Sequence, residues 1–74
     1  MVGGDRFDLF ITDLFLLYNR LAREIGSNRP YVIGASRRAV AALRAYRPEG
    51  DGEAILIEAA IEEFEALAQK AGAT

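Results

Sequence analysis

The chain has 74 residues, of which 51% are hydrophobic and 27% are charged, and it contains no cysteine and no histidine. This length allows a single domain, residues 1–74, and the two missing residue types exclude disulfides and the commonest zinc ligands. A domain this small buries little of its surface and is only marginally stable alone. We therefore expect oligomerisation to supply the missing stability.

Charge is distributed unevenly along the chain. Residues 1–48 hold eight arginines against four acids, a net +4, whereas residues 49–74 hold one lysine against seven acids, a net −6. The chain is therefore a basic half joined to an acidic half. Since no basic segment precedes an apolar run at the N-terminus, and no apolar run is long enough to cross a membrane, we expect a cytoplasmic protein.

The apolar periodicity of residues 5–25 predicts a long first helix. At about 100° per residue, one arc collects Phe7, Phe10, Ile11, Leu14, Phe15, Leu17, Tyr18, Leu21, Ala22 and Ile25. Gly26 is expected to end this helix in a left-handed conformation. Leu9 and Leu16 lie one heptad apart in the opposite, polar arc. They predict a second apolar stripe that another subunit covers, the alternative being isolated exposed leucines.

A shorter second helix is predicted over residues 36–46, with Gly34 or Ser36 as its N-cap. Residues 27–30 predict a turn, because the residue before Pro30 avoids helical dihedrals, and residues 31–33 are expected to pack over the bundle in an extended conformation. This connection is too long for a DNA-binding helix-turn-helix. Ala41 and Ala45 form a face of small side chains that another helix can approach closely.

The third helix is predicted over residues 52–71, with Asp51 as its N-cap and Gly72 as its end. Its apolar arc contains Leu56, Ile57, Ala60, Ile61, Phe64, Leu67, Ala68 and Ala71. Ile55 lies outside this arc and joins Leu9 and Leu16 as a predicted interface residue. The three elements predict an all-α three-helix bundle, with long, shorter and long helices, completed by oligomerisation.

Two charged groups are candidate binding residues. The first consists of arginines, whose guanidinium groups suit carboxylate and phosphate: Arg29, Arg37, Arg38, Arg44 and Arg47. We expect them to pair with acids on the third helix or on another subunit. Contact with phosphate or nucleic acid is the alternative, although a sequence pI near 5.0 differs from the basic character of most nucleic-acid binders.

The second group is an acidic stripe on one face of the third helix, formed by Glu58, Glu62 and Glu65. Like charges at this spacing repel, so the stripe predicts a cationic partner, and the arginine-rich second helix is the nearest one. A magnesium, calcium or manganese site built from carboxylates is a minor alternative, and we expect no metal and no cofactor.

The composition also bears on activity. With no histidine, no cysteine and no serine beside a visible base, the chain is not expected to be an enzyme. It is expected to be a small non-catalytic interaction module that self-associates or docks on a larger protein. The alternative is a nucleic-acid-associated regulatory protein that uses the arginines of its second helix.

Overall fold

The structure, a computed structural model, describes the backbone of residues 2–73 and the side chains of residues 6–73. It contains three helices: α1 (Val2–Glu24), α2 (Arg29–Ala45) and α3 (Asp51–Ala73). The predicted all-α three-helix bundle is therefore confirmed. Within the described chain, each of the helices is too short or too polar to cross a membrane.

The start of α2 differs from the prediction. The helix begins at Arg29 rather than at Ser36, so the predicted turn at residues 27–30 and the extended segment at residues 31–33 are wrong. Pro30 lies in the first turn, where a proline is tolerated because its missing N–H would have no partner inside the helix. Asn28 is the N-cap, and its carbonyl accepts the Val32 N–H at 3.1 Å. Ser36 is consequently inside the helix and caps nothing.

The end of α1 also forms differently. The Glu24 carbonyl accepts the N–H groups of Ser27 at 3.1 Å and Asn28 at 2.8 Å. Among the residues described, no glycine has a positive φ, so Gly26 does not provide the left-handed end that the sequence predicted. The chain turns through these two hydrogen bonds instead.

Both ends of α3 lie outside the predicted bounds. The Gly50 carbonyl accepts the Ala54 N–H at 3.1 Å, which places Gly50, rather than Asp51, at the N-cap. The Glu53 carboxylate reaches back to accept the Glu49 N–H at 2.9 Å. At the other end, α3 continues through the predicted stop at Gly72.

The connection between α1 and α2, residues 25–28, is short, so its length does not argue against a helix-turn-helix. The direction of the two helices does. Phe10, near the start of α1, stacks on Tyr46 directly after α2, with 4.7 Å between ring centroids. The two helices therefore run antiparallel along most of their length. A DNA-binding helix-turn-helix instead crosses its helices at about 90–120°.

The core forms mainly between α2 and α3, which share most of the contacts between helices, whereas α1 contacts both of them much less. The buried apolar residues are Phe7 and Leu21 from α1, Val32, Ala35, Ala39, Val40 and Leu43 from α2, and Ile57, Ile61, Phe64, Leu67 and Ala71 from α3. Among the described side chains of α1, the two buried ones thus lie near the two ends of the helix.

Aromatic contacts attach α1 to the other helices. The centroid of the Phe7 ring lies 5.5 Å from that of the Tyr46 ring, which also stacks on Phe10. Further along α1, Tyr18 meets Phe64 of α3 edge to face, at 5.6 Å between centroids. Edge-to-face and offset pairs each add about 0.5–1.5 kcal/mol beyond the buried area. These contacts compensate in part for the small number of buried α1 side chains.

Two apolar residues predicted to lie in the core are exposed. Phe15 is 64% exposed and Leu56 is 52% exposed, so their predicted burial is wrong. Phe15 lies roughly 60° beyond Tyr18 around α1, at the margin of the predicted arc. Because α1 and α3 make few contacts, the side chains at the margins of their two apolar arcs stay exposed to solvent.

The bundle is elongated, and its accessible surface is larger than that of a typical monomer of the same mass. It measures 41 × 16 × 15 Å, with a radius of gyration of 12.8 Å, compared with about 11 Å for a compact domain of this length. Its accessible surface is 5188 Å², whereas a monomeric protein of 8.1 kDa exposes about 4500 Å² on average. The chain therefore exposes roughly 700 Å² more than a typical monomer.

We expect Leu43→Ala to lower the free energy of unfolding by about 2–5 kcal/mol, because it leaves a cavity at a fully buried position. The matched change Leu56→Ala, at an exposed leucine, is expected to have an effect within about 0.5 kcal/mol. Chemical denaturation followed by circular dichroism measures both. If both variants lost the same free energy of unfolding, Leu43 could not be buried in the core while Leu56 is exposed.

The tyrosines that hold α1 in place predict how stability varies with pH. Partial burial raises the pKa of Tyr18 above its usual value, and the neighbouring Glu63 carboxylate raises it further. Partial burial likewise raises the pKa of Tyr46, aided by Glu53 and Glu49 and opposed by Arg6. A raised pKa means that the folded state favours the protonated phenol.

Stability is therefore expected to be complete below the ordinary tyrosine pKa and to fall as the pH rises through the raised values, because the unfolded chain loses those protons first. Tyr31→Phe leaves only Tyr18 and Tyr46 to titrate. The ultraviolet absorbance of this variant should show a midpoint above pH 10.0. A midpoint at or below that value would show that α1 is not docked through these rings.

Candidate functional site

The five predicted interface residues, Leu9, Leu16, Ile55, Ala41 and Ala45, are all exposed. They lie on three different helices. Leu9 and Leu16 share one side of α1, and Ala41 and Ala45 share one side of α2. Ile55 lies near the start of α3. Exposure is what an interface requires, but burial by a partner stays a prediction for all five.

The strongest candidate site is the side of α1 that faces away from the core. It contains Asp8, Leu9, Thr12, Phe15, Leu16, Asn19 and Arg23, which occupy a sector of roughly 120° around the helix. Asn19 is half-buried and the other six are exposed. We call this set the α1 outer stripe. Three large apolar side chains lie in it, 61–69% exposed.

The sequence pattern indicated Leu9 and Leu16 as members of this side of α1, but not Phe15. The periodicity assigned Phe15 to the core arc, although it lies only about 100° from Leu16 around the helix. Its position at the edge of that arc, next to Leu16 in the chain, was the available signal. The structure thus adds one aromatic ring to the predicted stripe.

The five arginines do not form one cluster. Arg37 and Arg44 lie on the side of α2 that borders α3 and line the same groove. Arg38 points roughly 100° away from Arg37, Arg29 begins α2, and Arg47 lies in the connection after α2. All five are exposed, and of these five, Arg37 and Arg44 line the groove.

One ion pair joins α2 and α3 among the described residues. The Arg44 guanidinium donates to the Glu65 carboxylate at 2.8 Å. Both side chains are more than half exposed, and exposed ion pairs contribute about 0–1 kcal/mol. The pair therefore adds little to stability.

The other acids of the stripe on α3 stay exposed. Glu58 and Glu62 lie on the same side of α3 as Glu65, and their predicted role toward a cationic partner stays a prediction. In the described part of the chain, no group of three or more acidic side chains is placed to hold a metal ion.

A groove of about 770 Å³ lies on the surface where α2 meets α3. Val40, Phe64 and Ala68 provide its apolar surface, and Arg37 and Gln69 lie at its rim. Ser36 lines the same groove, and its Oγ is buried with no hydrogen-bond partner among the described residues. A buried hydroxyl without a partner normally costs about 1–3 kcal/mol, so removing the Ser36 hydroxyl is expected to stabilise the fold.

Neither a known protein family, nor a characterised protein, nor a solved structure matches this chain.

We expect Ser36→Ala to stabilise the protein by about 1 kcal/mol, because the substitution removes the unpaired hydroxyl and places the best helix former inside α2. The control is Ser27→Ala, at an exposed serine between α1 and α2, with an expected effect within about 0.5 kcal/mol. Thermal unfolding measures both. Destabilisation by Ser36→Ala would indicate that this hydroxyl has a partner in solution.

Proposed function

We propose that this chain is a small non-catalytic interaction module whose working form is a homodimer, assembled through the α1 outer stripe. The observation that carries the proposal is the exposure of Leu9, Phe15 and Leu16 on one side of a helix that is itself incompletely packed. Scattered exposed leucines are common. Three large apolar side chains on one helix face indicate a contact surface.

The amount of exposed surface supports a second copy as the partner. The chain exposes roughly 700 Å² more than a typical monomer of its mass. A stable protein interface removes about 800 Å² from each partner. The surplus is therefore close to what one dimer interface would cover.

The charges of the stripe support the same partner. Among its described side chains, the stripe contains one acid, Asp8, and one base, Arg23, so these described charges balance. A strongly charged partner of one sign would leave one of these two residues unpaired, whereas a second copy offers both signs. Neither residue forms an ion pair within the described chain, so both are available to a partner.

The stripe also suits association because it lies outside the main core. Most of the stabilising contacts join α2 to α3, so covering the outer side of α1 requires no rearrangement of that pair. Rigid surfaces bind with a smaller entropic cost than surfaces that must first become ordered. α1 is already a continuous helix from Val2 to Glu24.

We expect light scattering to show a dimer with a dissociation constant in the micromolar range, and Leu16→Glu to raise this constant at least about tenfold by placing a charge in the apolar centre. Gln69→Glu introduces the same charge at an exposed position on α3 and serves as the control. It should leave the dimer unchanged, and circular dichroism should show both variants folded.

The proposal fails if the unmodified chain is monomeric at all concentrations that can be measured. It also fails if Leu16→Glu and Gln69→Glu weaken association equally, because the effect would then come from net charge rather than from the stripe.

A further inference from the structure

The α1 outer stripe has a symmetry in its sequence. Its midpoint lies between Phe15 and Leu16, and four of the other five residues form complementary pairs at equal distances from that midpoint. Thr12 and Asn19 are one such pair, and Asp8 and Arg23 are the other. The fifth, Leu9, has no counterpart in the stripe, because the equivalent position, Ala22, lies outside it. With a rise of 1.5 Å per residue, the charged residues lie about 11 Å from the midpoint along the axis.

From this symmetry, and on the basis of the proposed homodimer, we infer that the two α1 helices pair antiparallel, with the twofold axis at the midpoint between Phe15 and Leu16. In a twofold dimer the same surface serves both chains, so each contact between unlike residues occurs twice. Asp8 of each chain then faces Arg23 of the other, so one of two equivalent ion pairs forms at each end of the stripe.

The centre of this arrangement is apolar. Phe15 and Leu16 lie on opposite sides of the contact line, roughly 50° to either side of it. The twofold axis therefore packs each of them against its own copy. On either side of this centre, Thr12 of one chain faces Asn19 of the other, and both side chains offer hydrogen-bonding groups. A polar pair at such a position fixes the register of paired helices.

A parallel pairing of the same stripe is disfavoured by charge. It would place Asp8 against Asp8 and Arg23 against Arg23 of the second copy, so both ends would repel. Charges that flank an apolar helix contact select the orientation of the partners in this way. The stripe thus favours one direction through two attractive contacts and opposes the other through two repulsive ones.

Cysteine cross-linking tests the direction, and the absence of natural cysteine makes the experiment simple. A chain carrying Thr12→Cys is mixed with a longer, tagged chain carrying Asn19→Cys and is oxidised. Disulfides form only between Cα atoms closer than about 7 Å. The antiparallel pairing is expected to give mainly the mixed disulfide, which mass separates from the two symmetric products.

Charge reversal tests the ion pairs. Asp8→Arg and Arg23→Asp are each expected to raise the dissociation constant about tenfold, because each affects both symmetric pairs. Combining the two substitutions should restore the value of the unmodified chain. Asp13→Arg, the same change at an exposed α1 position outside the stripe, serves as the control and should have little effect.

The outcomes separate the arrangement from the proposed function. A dimer that cross-links mainly as two Thr12→Cys chains, or that the double reversal does not restore, overturns the antiparallel register and leaves the homodimer intact. A chain that light scattering shows to be monomeric overturns both.

Discussion

The packing of α2 against α3 is the contact on which the rest of the bundle depends. Val32 and Leu43 of α2 are fully buried. Burying a side chain of this size contributes about 1.5–3 kcal/mol to the stability of the fold. α1 is added to this pair through Leu21 and through rings that meet Tyr46 and Phe64. Its outer side stays exposed because a bundle this small has no fourth element to cover it.

Periodicity predicted most of this architecture. The repeat of about 3.6 residues identified three helices, and it assigned Leu21, Ile57 and Phe64 to the core, where the structure places them. Periodicity did not predict the start of α2 beside Pro30. A proline can lie in the first turn of a helix, but it also disfavours helical dihedrals at the residue before it, so the sequence around it is compatible with either a helix or a turn. Only the contacts of residues 31–33 with the bundle decide between them, and those contacts are not local.

The candidate site was predicted in part. Leu9 and Leu16 were identified because they interrupt a polar arc, which is a property of the sequence alone. Phe15 and Leu56 were assigned to the core because they lie at the margins of apolar arcs, and burial at a margin depends on how closely α1 and α3 approach. The same holds for the pair of Arg44 and Glu65: their signs were predictable, whereas their contact depends on the register of two helices.

The way α1 is attached also bears on how this chain can change through evolution. Its buried anchors, Phe7 and Leu21, lie near the ends of the helix, while the middle turns face water on their outer side. Exchanges at such exposed positions usually change stability by no more than about 0.5 kcal/mol. Mutation can therefore change the exposed side of α1 while the fold persists, so the surface of this helix is freer to vary than the α2–α3 core.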